Sequence, residues 1–194
     1  MMRTDLAAEL CALIDHDDEV RARLVADGSL FRAGYHPEME AVHRANAARL
    51  REIVAEVGWP TRSLVGAEAA SAAWRILQHA IGEPVFMRAM LPLVQAAAAR
   101  GEADAGELAK LEDRIAVSEG RPQRYGTQYD WSEGLTAMVP MVGVEDPAGV
   151  DERRRAVGLP PMEWVRPLQG ETPPADWQAR QVEMAEWARR CGWR

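Results

Sequence analysis

At 194 residues, with 47% apolar and 27% charged side chains, the chain fits one domain, or one domain with an appendage, and carries enough apolar material for a real core. A formal net charge of -7 argues against any general affinity for nucleic acid or an anionic membrane, since either would need a basic surface to offset phosphate repulsion. Two cysteines at opposite ends, Cys11 and Cys191, with no CxxC or CxxxH spacing, read as reduced residues that hold no metal; no apolar run approaches the roughly 20 residues of a membrane span, and a cytoplasmic protein is expected.

Asp5 to Asp27 reads as a first helix, because Leu6, Leu10, Leu13, Ile14, Val20 and Leu24 fall on one stripe and Gly28 stops it. Asp17 lies in the middle of that stripe, with Arg21 one turn on as a candidate ion-pair partner. Residues Ser29 to His36 read as a linker. A second amphipathic helix opens at Pro37, runs through Met39, Val42, Leu50, Ile53, Val54 and Val57, and ends at Gly58. His43 and Asn46 occupy its apolar face. A turn-rich connector, Gly58 to Gly66, leads into a helix over Gly66 to Ile81 that is apolar or small on nearly every side. Gln78 and His79 on that helix need partners or a ligand, because a buried polar group left alone costs about 1 to 3 kcal/mol.

Glu83-Pro84 opens the next helix, which Pro92 should kink or restart and Gly101 ends. Asp104 with Glu107 resembles a capping pair for a helix through Leu108, Leu111 and Ile115 to Gly120, with Asp113 and Arg114 off its stripe and therefore expected in solvent. From Arg121 the pattern changes. Tyr125 to Trp131 and Leu135 to Pro140, separated by Ser132-Glu133-Gly134, read as a β-hairpin. A short helix from Asp146-Pro147 through Arg155 follows. Gly170 to Pro174 is linker-like, and Ala175 to Cys191 reads as a last helix with Trp177, Met184, Ala188 and Cys191 on one side. The expected fold is mainly α: a single-domain helical bundle over 1–168 with one β-hairpin near 124–140, then a linker and C-terminal helical extension over 169–194.

Three helices thus put polar groups where burial is expected: Asp17, His43 with Asn46, and Gln78 with His79. If those faces meet, they form a polar pocket with apolar walls, in which a carboxylate orients a histidine and two histidines exchange protons near neutrality. The bland alternative is a core network in which these groups satisfy one another. Metal binding is a weaker reading: His43, His79 and a carboxylate from Asp17 or Asp113 could hold a divalent ion with one position open. Glu40-Ala41-Val42-His43 has the Glu-x-x-His form of di-iron bundles, but Ile76 stands where a second copy before His79 would need an acid. No GxSxG, phosphate loop or dinucleotide fingerprint is present.

Several runs carry a resemblance. His36-Pro37-Glu38-Met39-Glu40-Ala41-Val42-His43-Arg44-Ala45-Asn46, Gly58-Trp59-Pro60-Thr61 with Leu64-Val65-Gly66, and Ala73-Trp74 with Gln78-His79-Ala80 are followed by Leu111 to Ile115, Gly120 to Gln128 and Val150 to Arg154 with Val157-Gly158-Leu159. In that order, over about Asp5 to Val165, the chain resembles the bacterial family known as domain of unknown function 6624. The family carries no assigned activity, so the resemblance implies positions and no substrate. Those positions are His43, Asn46, His79, Asp113, Arg114, Gln123, Tyr125, Gly126, Thr127, Gln128, Asp151 and Arg154. It implies that Asp113-Arg114 and Tyr125 to Gln128 face the same pocket as the histidines. Beyond about Arg166 the chain departs from the pattern, and the final helix with Trp177 and Trp187 is left to close the pocket or to carry homodimer contacts.

The expectation is a small-molecule enzyme that uses metal-free acid/base catalysis on a polar or anionic metabolite, by elimination, cyclisation, hydrolysis or group transfer. His43 and His79 exchange protons, Asp17 or Asp113 orients a histidine, and Asn46, Gln78, Arg114, Gln123, Tyr125, Thr127, Gln128 and Arg154 hold substrate. No cofactor is expected, a divalent metal on His43 and His79 being the alternative. The rival is a non-catalytic binding module, a carrier, sensor or immunity-type protein.

Overall fold

The stripe of Leu6, Leu10, Ile14, Val20 and Leu24 is buried along α1 (Thr4–Ala26) in the computed structural model, which describes residues 2–30, 34–168 and 176–194. Asp17 sits between Ile14 and Val20 at helical spacing, so the geometry that buries those two side chains buries the carboxylate as well. Helix α2 (Pro37–Val57) begins with proline behind an extended His36, whose ring accepts from the Glu38 amide. The connector expected between residues 58 and 66 contains a single helical turn, α3 (Arg62–Val65), and α4 (Ala67–His79) follows. Helix α5 (Pro84–Ala98) is one helix with Pro92 inside it, so of the two expected effects, kink or restart, the restart does not occur. Among the described residues no helix is long and apolar enough to cross a membrane.

The chain divides into two compact units. The first comprises Met1–Asp104 and Asp176–Trp193. In it α1, α2 and α4 pack on one another, α3 lies against α1 and α4, and α5 against α4. Ala69, Ala70, Ala72, Ala73, Ile76 and Leu77 are all buried, so α4 is covered on several sides, as its lack of a polar face predicts. The final helix, here α8 (Trp177–Cys191), belongs to this unit: Glu183 accepts from the Gly34 amide at 2.7 Å, and just past the helix the Trp193 indole donates to the Ile81 carbonyl at 2.7 Å. Its one buried residue is Trp187, three residues after Met184 and four before Cys191 on the face expected from sequence.

The second unit comprises Ala105–Ala175 and Arg194. It contains α6 (Ala105–Ser118), α7 (Val150–Ala156) and an antiparallel sheet of three short strands, β1 (Tyr129–Trp131), β2 (Ala137–Pro140) and β3 (Arg166–Pro167). Tyr129 pairs with Pro140 and Trp131 with Met138, while Ala137 on the other edge of β2 pairs with Pro167. The expected hairpin is present, shortened at both strands. Residues 125–128 do not join it, because the amides of Tyr125 and Thr127 donate to Asp113 and that of Gln128 to Gln123. Mainly α with a small sheet, the fold has the expected class. Phe31 to Ala33 of the first linker, and the linker over 169–174 with Ala175 at the expected start of the last helix, lie outside the described residues.

Candidate functional site

Three helices of the first unit converge on one carboxylate. Asp17 of α1 receives Nδ1 of His79, the last residue of α4, on its Oδ2 at 3.1 Å. The same oxygen lies 3.0 Å from Nε2 of His43 on α2. That second contact has ion-pair distance without hydrogen-bond alignment, and it leaves both His43 Nε2 and Asp17 Oδ1 buried with no hydrogen-bond partner. The two imidazole rings stand 4.8 Å apart between centroids, tilted by 40°. Arg21, the partner suggested by spacing, is exposed, and Asp17 turns to the histidines instead.

Exposure grades across the cluster. The Asp17 side chain is 1% exposed, His43 13% and His79 27%, so solvent reaches the group mainly from the His79 side. Burial by itself would raise the Asp17 carboxyl; the His79 hydrogen bond and the close approach of both imidazoles outweigh it and hold Asp17 well below the usual carboxylate range. Asp17 is therefore an anion, and His79 Nδ1–H donates to it. That assignment makes Nε2 the basic nitrogen of neutral His79.

The surroundings fix these positions. Asn46, one turn after His43, donates to the Leu13 carbonyl at 3.2 Å and so ties α2 to the turn of α1 that carries Asp17. Gln78 is buried beside His79 on α4. Tyr35 hydrogen-bonds His43 Nδ1 through its hydroxyl, and its ring meets the Trp187 ring edge-on at 4.9 Å. The Trp187 indole donates at 3.4 Å to Glu40, which also holds Arg44. Sequence named Trp187 only on a final helix left to close the pocket or to carry dimer contacts, and it did not single out Tyr35, which follows no helical period.

The remaining candidates lie in the second unit and form a network there. Asp113, expected in solvent from its place on α6, is fully buried. Its Oδ1 accepts from the amides of Arg124 at 2.7 Å and Tyr125 at 3.0 Å, and its Oδ2 accepts from the amide and hydroxyl of Thr127, both at 2.9 Å. Four donors fill the lone-pair directions of one carboxylate, which leaves no acceptor for a histidine. Gln123 is buried as completely, donating to the carbonyls of Gln128 and Met141 and accepting from the Gln128 amide. Gln128 in turn donates to Thr127 Oγ1 at 3.0 Å.

Arg154 was expected to bind an anion. It is buried, with Nε on the Pro160 carbonyl and Nη1 on the Tyr125 carbonyl, both at 2.6 Å. Asp151 accepts from the Met162 amide. Burial raises the Tyr125 hydroxyl above its ordinary range. Arg114 is half-buried on α6. Carboxylate, amide and guanidinium groups here hold the loop over residues 123–128 and the turn after α7, as polar side chains do where backbone groups lack a ladder.

A family model described as a family of unknown function, DUF6624, matches residues 4–172. The chain belongs to DUF6624. In this DUF6624 chain the match reaches into both units but stops short of α8, whose Trp187 packs on Tyr35. No curated protein and no solved structure matches it. Within the first unit, Asp17, His43 and His79 each offer one ligand atom to a metal, all within 4.8 Å of one another.

Proposed function

We propose that this DUF6624 protein is a small-molecule enzyme whose first unit moves protons on a polar metabolite through His79 and His43, with Asp17 as the shared anion. The observation that carries the reading is the convergence of both imidazoles on one buried, ionised carboxylate oxygen, at 3.0 and 3.1 Å. Asp17 orients His79 through Nδ1 and stabilises the imidazolium formed when Nε2 accepts a proton, the division of labour found in carboxylate–histidine pairs. His43, in contact with Tyr35 through its other nitrogen, supplies a second proton-exchanging pair one ring away. Elimination, cyclisation, hydrolysis and group transfer all fit such a centre. Arg154, turned onto the Pro160 and Tyr125 carbonyls, does not serve as the expected anion binder.

The test is turnover in a mixture of polar metabolites, read as consumption by mass spectrometry. Wild type is expected to deplete at least one compound, and His79→Ala to leave it untouched. His79 is the most exposed of the three groups, and losing its hydrogen bond to the ionised Asp17 oxygen should cost about 1.5 to 3 kcal/mol, a Tm shift of roughly 4 to 9 °C in a chain of this size. Depletion of the same compounds by His79→Ala would refute the assignment. A larger loss of stability in that variant would favour a structural network.

A further inference from the structure

The three groups that orient one another for proton transfer are also a set of metal donors, and we propose that Asp17, His43 and His79 hold a divalent transition-metal cation such as zinc. This goes beyond the proton-transfer reading and does not depend on it. Two imidazoles and one carboxylate form the donor set that zinc, cobalt, iron and manganese accept and that magnesium and calcium, which prefer oxygen, do not. Three protein donors leave a position for water or a substrate oxygen.

The spacing already suits a cation. Bonds of about 2.0 to 2.2 Å at tetrahedral angles put neighbouring donor atoms roughly 3.4 Å apart. Asp17 Oδ2 lies 3.0 Å from His43 Nε2 and 3.1 Å from His79 Nδ1, with one ligand atom from each residue inside 4.8 Å. Each of the two Asp17 spacings therefore needs a shift of only a few tenths of an ångström to admit the ion.

A second observation is independent of the spacing. Asp17 Oδ1 and His43 Nε2 are both buried without a hydrogen-bond partner, although buried polar atoms are satisfied in the great majority of cases. One is an oxygen of an anionic carboxylate that is 1% exposed, and the other is a nitrogen 3.0 Å from that carboxylate but out of hydrogen-bond alignment. A cation among the three donors gives His43 Nε2 a bonding partner and neutralises the buried charge. The far side of His43 agrees: its Nδ1 meets the Tyr35 hydroxyl, the outer contact that commonly fixes the tautomer of a ligating histidine. Trp187 in turn packs on the Tyr35 ring.

The test is isothermal titration of chelator-treated, tag-free protein with zinc chloride at pH 7, circular dichroism reporting the fold of each variant. One zinc per chain with micromolar or tighter Kd is expected, and no heat from magnesium chloride. His79→Gln and Asp17→Asn should weaken binding at least a hundredfold, and Tyr35→Phe about 10- to 100-fold. His36→Gln, outside the cluster, should leave it unchanged. Cobalt chloride should give a visible absorption band that Asp17→Asn abolishes. No zinc binding by folded wild type would overturn the inference, as would binding that survives in folded His79→Gln and Asp17→Asn, since the ion would then sit elsewhere. Metabolite depletion by chelator-treated protein that binds no zinc would sink this inference and leave the proton-transfer reading standing; zinc binding without any depletion would do the reverse.

Discussion

Two fully buried aspartates in the same chain should respond oppositely to the same change, and the contrast separates a chemical site from a structural one. In Asp113→Asn the amide oxygen can accept from two of the four donors on that side chain, and the NH2 faces the other two. At about 1 to 3 kcal/mol for each stranded donor, the loss is about 4 kcal/mol. In Asp17→Asn two contacts to an ionised oxygen become contacts to a neutral one. The aligned His79 hydrogen bond falls from about 1.5–3 to about 0.5–1.5 kcal/mol and the unaligned His43 ion pair weakens with it, while removing a buried charge with one unpartnered oxygen returns about 1 to 3 kcal/mol. The net loss is at most about 1 kcal/mol. Equilibrium urea unfolding at pH 7, followed by far-UV circular dichroism, should show the midpoint falling by about 2 M for Asp113→Asn and at most about 0.5 M for Asp17→Asn, taking a slope near 2 kcal/mol per M. Equal shifts, or a larger one for Asp17→Asn, would mean that the histidine cluster holds its unit together, and the reasoning that makes it a site would fail.

Acid should act through the same carboxylate. The folded Asp17 binds a proton less readily than the unfolded one, so its contribution is complete above the unfolded carboxyl range and is lost as pH falls below about 5. Asp17→Asn should flatten the decline of stability between about pH 5 and pH 2, and a decline as steep as that of wild type would refute the assignment. Trp187→Ala removes a buried indole that braces Tyr35 and should cost about 3 to 5 kcal/mol by thermal or urea unfolding. Trp187→Phe, which keeps an aromatic ring against Tyr35, should recover more than half of that loss; no recovery would place the cost away from the Tyr35 contact.

Helical periodicity carried the legible part of both fold and site. Asp17 at three residues from Ile14 and from Val20, Asn46 three after His43, and Gln78 beside Leu77 were readable because a helix sets the direction of each side chain from its number alone. Periodicity reports only what a helix does with its own faces, and the misreadings all arise where something other than the helix decides burial. Asp113 is off the stripe of α6 yet buried, because the loop over residues 124–127 closes on it with four donors, and Arg154 is buried by carbonyls from two separate turns. Tyr35 precedes α2 in a stretch with no period, and its place beside His43 depends on how the chain enters the helix. Family resemblance could not repair this, because a position recurs equally well for holding a loop as for chemistry. What separates the two sets is whether the polar atoms are already used. Every oxygen direction of Asp113 is taken by its own loop, whereas Asp17, with both histidines on one oxygen and nothing on the other, keeps an acceptor in the interior for a proton or a cation.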